Sequence, residues 1–336
     1  MEFLAPHVFL IEFWQGNRTL GGVNEPIFFQ PLCMERVWGG RRLEDLPGKV
    51  LPAGVPIGEL WEVVDREEAQ SIVRDGALRG VSLHELWKNH RAAIFGETYI
   101  SSSAPRFPLL VKLLDASEKL SVQVHPPLNK AAELGGEPKT EVWYFLDSLP
   151  GASICAGLKK GVTRDEFEVL LENGGVESAL HQAPVKSGES IFIPSGRLHA
   201  IGEGNVIIEV QQNSDTTYRV FDWNRVGLDG KPRDLHIKES MASIDFEDFE
   251  PQVKSASEAL VADCPFFHIE KVHLTSPRDL RPVGRFALAV VVEGAATCLE
   301  RRFERGQFFL IPASAADASV VPIEGTASLL VCTLPA

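Results

Sequence analysis

The chain reads as a mainly β protein, a sandwich or barrel with helical insertions. Three observations lead there. Strand-like runs at 107–114, 120–124, 141–146, 190–193, 206–211, 287–292 and 308–311 are short, β-branched or aromatic, and bounded by Gly, Pro, Asp or Ser. The chain carries 28 Gly and 22 Pro, which favours many turns over long helices. Only two places carry a strong helix-start signal, too few for an α-helical fold.

Taken from the N-terminus, residues 1–24 form an apolar extension in which Glu2 and Glu12 spoil a signal-peptide pattern. Ser82 and Glu85 have capping-box spacing, with Val81 and Leu86 as a hydrophobic staple, so a helix opens there and ends near Gly96. A short helical pattern spans 128–134. Thr163 and Glu166 repeat the box, and Gly174-Gly175 stops that helix. The two insertions occupy about 80–100 and 161–182. The acidic, then polar stretch 247–259 marks a boundary, so a larger unit over 25–250 precedes a C-terminal unit over 251–336.

Composition excludes several functions. With 336 residues, 44% hydrophobic and 24% charged, the chain is globular, and at about 150 residues per domain it has length for two. A net charge of −13 repels nucleic acid and anionic membranes, leaving a small molecule as partner. No run approaches the ~18 apolar residues of a membrane helix. Five scattered cysteines without a C-x-x-C pair point to a reducing cytoplasm and away from a thiolate metal site.

The chemistry concentrates in Gly188-Glu-Ser-Ile-Phe-Ile-Pro194-Ser-Gly196-Arg-Leu-His199, where a strand ends in a Pro-x-Gly turn that aims a histidine back at the barrel. It resembles the second motif of the cupin superfamily, whose jelly-roll barrel carries a metal-binding histidine there. Upstream, Ser121-Val-Gln123-Val-His125-Pro126 places Gln123 and His125 on one strand face. The first cupin motif usually has H-x-H. Here Gln123 replaces the first His, and the nearest strand carboxylate is Glu141, beyond an insertion at 126–140. Gln123, His125, Glu141 and His199 make a two-nitrogen, two-oxygen donor set suited to Zn²⁺ or another borderline divalent ion. Isolated histidines such as His84, His90, His181 and His273 read as ordinary core or surface residues.

A narrower resemblance is carried by Phe107-Pro-Leu-Leu-Val-Lys112 through Pro126, Lys139-Thr-Glu141-Val-Trp143-Tyr144, Ile193 to Gly202, and Gln211-Gln-Asn-Ser-Asp215-Thr-Thr-Tyr-Arg219. Together with Trp38-Gly39-Gly40 and Ile57-Gly58-Glu59-Leu60-Trp61-Glu62, they make residues 26–245 similar to the short bacterial form of type I phosphomannose isomerases. That family interconverts mannose 6-phosphate and fructose 6-phosphate with one zinc per chain. The resemblance implies metal ligands at Gln123, His125, Glu141 and His199, an active-site arginine at Arg219, and pocket lysines at Lys112 and Lys139. One departure stands out: long-form relatives commonly have a tyrosine after the His-Ala pair where this chain has Ile201, so that phenol is missing or supplied by Tyr144 or Tyr218.

Aldose–ketose isomerisation moves a proton between C2 and C1 through a cis-enediolate. It therefore needs stabilised negative charge, a proton carrier and fixed cations for the phosphate. Lys112, Lys139, Arg219 and Arg225 are the cation candidates, with Ser121 a further substrate contact; Lys139, Glu209 and a metal-bound water are all open as the general base. Gly306-Gln-Phe-Phe-Leu-Ile-Pro312-Ala-Ser314-Ala-Ala-Asp317 echoes the histidine motif with Asp317 in the place of His199, so the C-terminal unit reads as a degenerate, metal-free cupin-like barrel. Competing readings are an isomerase of another sugar phosphate, a non-catalytic sugar-binding cupin, and a metal-dependent dioxygenase, the last disfavoured by Gln123 and the insertion. The expected form is a monomer or homodimer, with metal occupancy and activity falling together below about pH 6 as the imidazoles protonate.

Overall fold

A computed structural model describes residues 23–335; the extension expected over 1–24 lies, but for its last two residues, outside them. Eleven strands precede residue 250: β1 (Leu32–Gly40), β2 (Ile57–Val63), β3 (Leu109–Ala116), β4 (Val122–Val124), β5 (Glu141–Ser148), β6 (Ser153–Leu158), β7 (Leu180–Pro184), β8 (Ser190–Ile193), β9 (His199–Ile201), β10 (Asn205–Gln212) and β11 (Tyr218–Phe221). Seven follow: β12 (Leu260–Asp263), β13 (His268–Leu274), β14 (Arg278–Asp279), β15 (Ala287–Cys298), β16 (Arg301–Glu304), β17 (Phe308–Ile311) and β18 (Ser319–Thr333). The helices are α1 (Leu83–Asn89), α2 (Arg91–Ile94), α3 (Leu128–Ala131), α4 (Arg164–Glu172) and α5 (Ile237–Ser243).

Three antiparallel sheets result: six strands ordered β1-β2-β3-β10-β5-β8, five ordered β11-β4-β9-β6-β7, and a seven-stranded C-terminal sheet centred on β18 and β15. The six-stranded sheet is the middle layer, and its sequence alternation explains why. Along β10, Val206, Ile208 and Val210 share a core with Leu288, Val290 and Leu330 of the C-terminal sheet. Between them, Ile207 packs with Ile154, Ala156 and Ile201 of the five-stranded sheet. Glu209, on that same face, enters a cleft instead. A period of two thus assigns one face of β10 to each neighbour, and the face toward the five-stranded sheet carries the chemistry.

The helix starts follow their caps. Ser82 Oγ accepts from Glu85 N, while the Glu85 carboxylate bonds Asn89 rather than completing the box. At α4 the box is reciprocal between Thr163 and Glu166. The insertion expected over 161–182 is helical only as far as a 3₁₀ turn ending at Ala179, after which β7 begins. The acidic stretch 247–259 is stitched to the larger unit: Asp248 O accepts from Leu158 N, and Lys254 pairs with Ser190 through both backbone bonds.

Candidate metal centre and its cleft

The Pro-Ser-Gly turn after β8 holds the site together. Ser195 Oγ accepts from Lys139 N at 3.0 Å, Gly196 N donates to His125 O at 2.9 Å, and the Arg197 carbonyl lies 2.8 Å from His199 Nδ1. Gly196 has φ of +98°, the left-handed region where a Cβ is strained. The Arg197 guanidinium clasps Asp248 with two 2.7 Å bonds and so pins the turn. The histidine motif therefore positions both histidines and the approach to Glu141.

His125, Glu141 and His199 converge, all fully buried, with potential donor atoms within 4.8 Å of one another. His125 Nε2 lies 3.4 Å and His199 Nε2 3.6 Å from the two oxygens of Glu141. The Nδ1 atoms face carbonyls, Thr216 O for His125 and Arg197 O for His199, each at 2.8 Å, which leaves both Nε2 lone pairs aimed inward. His125 Nε2 and both Glu141 oxygens have no hydrogen-bond partner despite complete burial. Orphaned acceptors meeting at one point are a donor set for a cation. Gln123 sits between His199 on β9 and Arg219 on β11. Its Nε2 is 3.3 Å from His199 Nε2, and Ser121 Oγ donates to its Oε1. Turned over, the amide would offer Oε1 to the cluster and Nε2 to Ser121.

Burial, reinforced by the Lys139 charge, pushes His125 down to about 3; burial likewise lowers His199. Burial alone would raise Glu141, but Lys139 at 3.2 Å and the two histidines outweigh it and hold the carboxylate ionised. Burial thus favours the neutral, ligating form of both imidazoles.

Above this cluster opens a cleft of about 570 Å³ lined by Ser121, Gln123, Lys112, Lys139, Glu209 and Arg219. Lys112 and Glu209 stand opposite each other on β3 and β10, 3.2 Å apart and almost wholly buried. Glu209 Oε2 accepts from Trp143 Nε1 while Oε1 faces the Lys112 ammonium without a hydrogen bond, and burial raises its pKa despite Lys112. Trp143 in turn meets His199 edge-on, centroids 5.4 Å apart. Arg219 donates to Asp234 O, leaves Nε orphaned, and has no carboxylate partner among the described residues. Arg225, expected in the cleft, does not line it: Asp222 takes its Nε and Nη2. Arg233, absent from the sequence reading, does line it. Neither proposed tyrosine replaces the missing phenol. Tyr144 points into the core on the opposite face of β5, and the Tyr218 hydroxyl is spent on Leu134 O. Ile201 lines the cleft in the position concerned.

Residues 27–143 match the family described as Phosphomannose isomerase type I, catalytic domain. Mannose-6-phosphate isomerase ManA of Bacillus subtilis (strain 168) is 36% identical over 304 residues, 86% of this chain and 93% of the relative. The crystal structure of the mannose 6-phosphate isomerase from Bacillus subtilis superposes with a TM-score of 0.79 at 30% identity, over 92% of this chain and 99% of that one. With it comes the mainly β cupin architecture expected from the sequence. A mannose 6-phosphate isomerase structure bound with zinc and yttrium, 18% identical, shares the fold at a TM-score of 0.64 over 93% of this chain and 100% of that one.

Proposed function

The chain belongs to the type I phosphomannose isomerases, and we propose that it interconverts mannose 6-phosphate and fructose 6-phosphate with one zinc held by His125, Glu141, His199 and the Gln123 amide oxygen. The observation that carries this reading is the set of orphaned inward atoms on His125 and Glu141, beside a neutral His199, next to a cleft lined by Gln123, Lys112, Lys139 and Arg219. A bound zinc supplies Lewis-acid stabilisation of negative charge on the sugar oxygens.

The rest falls to the chain's own residues. Lys112 and Lys139 place two ammonium groups where an enediolate would form, and the low dielectric of the site strengthens their pull. Glu209 Oε1 is our choice for the group that carries the proton between C2 and C1. It is buried, faces the cleft beside the Lys112 ammonium, and burial raises its pKa, which suits a carboxyl that both takes and returns a proton. Arg219, with an orphaned Nε and Arg233 nearby, is our choice for the phosphate end, where binding energy orients the reacting carbons. Ser121 holds the Gln123 amide in orientation. The setting is a reducing cytoplasm, in keeping with five free cysteines, and no helix among the described residues is long and apolar enough to cross a membrane. The acting form is a monomer or homodimer.

The test is a coupled assay on chelator-stripped protein. Zinc should restore mannose 6-phosphate turnover; turnover that survives complete metal removal would contradict the reading.

A further inference from the structure

We propose that the seam between the six-stranded and C-terminal sheets forms a second ligand site, for an organic anion carrying a flat ring and of mononucleotide size. It is independent of the isomerase reading and lies across β2 from the cleft. Glu59 lines the cleft, whereas Leu60 and Glu62, pointing the other way, line a separate cavity of about 290 Å³. That volume sits near the lower end of the ~300–1,000 Å³ typical of ligand pockets.

Charge gives the first half of the specificity. On a chain of net charge −13, the lining of this cavity holds four cations, Lys49, Arg74, Arg301 and Arg302, against one carboxylate, Glu62. Asp75 takes Arg74 Nε and Arg301 Nη2, and Glu304 takes Arg302 Nε and Nη2. Both terminal nitrogens of Arg74 and Nη1 of Arg301 and Arg302 have no partner among the described residues. Planar forks with free N–H groups match a phosphate or carboxylate.

Aromatic rings give the second half. The Phe28 ring carries the Arg74 guanidinium at 4.3 Å and that of Arg301 at 5.5 Å, and meets Phe303 edge-on at 5.9 Å. Stacking fixes the arginines before any ligand arrives, lowering the ordering cost of binding. Phe308 forms another wall, with Lys49 Nζ 5.6 Å from its ring centroid. The deep end is polar: Lys49 and Glu62 form an ion pair with side chains only 6% and 4% exposed. A buried pair is poor glue, because desolvation offsets most of its attraction. At the base of an aromatic-walled cavity it instead offers donor and acceptor groups to a ring edge.

The experiment is calorimetric titration of the full chain with AMP, adenosine and inorganic phosphate, with Arg301→Gln/Arg302→Gln, Arg74→Gln and Arg219→Gln as variants. AMP should bind at least tenfold tighter than either fragment. The double variant and Arg74→Gln should each weaken it tenfold or more, while Arg219→Gln, in the cleft, leaves it unchanged. The inference is overturned if AMP does not bind, if phosphate binds as tightly as AMP, or if Arg219→Gln abolishes binding that the seam variants keep. The three arginines are at least partly exposed, so their replacement should leave the melting temperature intact, and Arg74→Gln lies outside β16 should the double variant misfold.

Discussion

Two strands of this molecule end in a proline turn, β8 at Pro194 and β17 at Pro312, and they differ in what faces them. On β5, Glu141 pairs with Ile193 and Trp143 with Ile191; on β15, Ala287 pairs with Ile311 and Ala289 with Phe309. One strand further, Trp143 faces Glu209 while Ala289 faces Val331. The position of Glu141 in the first sheet is thus an alanine in the second, and that of Glu209, the proposed proton carrier, a valine. After the turn, His199 begins a buried strand, whereas Asp317 is exposed at φ +46°. The comparison teaches that the turn sets where a ligand can stand, and the polarity of the inward residues decides between a cleft and a packed core. Ala287, Ala289, Val291, Phe309 and Val331 close the second interior as hydrocarbon.

The largest effect should come from His199→Ala, which removes a ligand and lowers kcat/KM by about 100-fold or more, together with bound zinc. Asp317→His, restoring a histidine to the echo, should gain no zinc and change no kinetic constant. Metal uptake by that variant would break the comparison. Next, Ala287→Glu sets a carboxylate in the second core with no cation to meet it and should cost about 3 kcal/mol or more in urea unfolding. A cost below about 1 kcal/mol would show that this interior is not dry. Smaller again is Gly196→Ala, at about 1–2 kcal/mol for a Cβ at φ +98°. Ser314→Ala at the matching position, where no positive φ is required, should stay within about 0.5 kcal/mol by the same measurement.

The smallest effect is a pH slope in the metal-free protein. Burial depresses the folded pKa of His125 to about 3, so between there and the unfolded value near 6.5 the unfolded chain binds more protons. Stability is full above that window and falls as pH drops through it, and the depressed Glu141 pushes in the same direction at its lower end. The melting temperature measured from pH 7 to 4 should fall less in His125→Gln.

Local signals made the catalytic half legible. Pro194, Gly196 and His199 act within one turn, and the i, i+2 spacing of Gln123 with His125 fixes a shared face without knowledge of the rest of the fold. The seven strand runs read from sequence all appear. Pro322 and Gly325 read as breakers of the longest strand, β18, yet Pro322 pairs in register with Ala296, and Gly325 falls in the register shift opposite Gly294 and Ala295. Length does not separate the other unread strands, since β1, β2, β6 and β13 are longer than β8 and β17, which the sequence shows as apolar runs. Arg233 and the Ser195 contacts with Lys139 and Thr140 are products of tertiary approach, so no spacing announces them. The same holds for the seam cavity, built from residues 28–74 and 301–308, whereas Arg225 is claimed by Asp222 only three residues away, a local pair that the spacing does announce.

Zinc per chain, measured by native mass spectrometry alongside turnover, tests most directly where the metal sits. One zinc in the wild type and in Asp317→His, none in His199→Ala, and turnover that follows the metal is the predicted result. Zinc and turnover that persist in His199→Ala would contradict it.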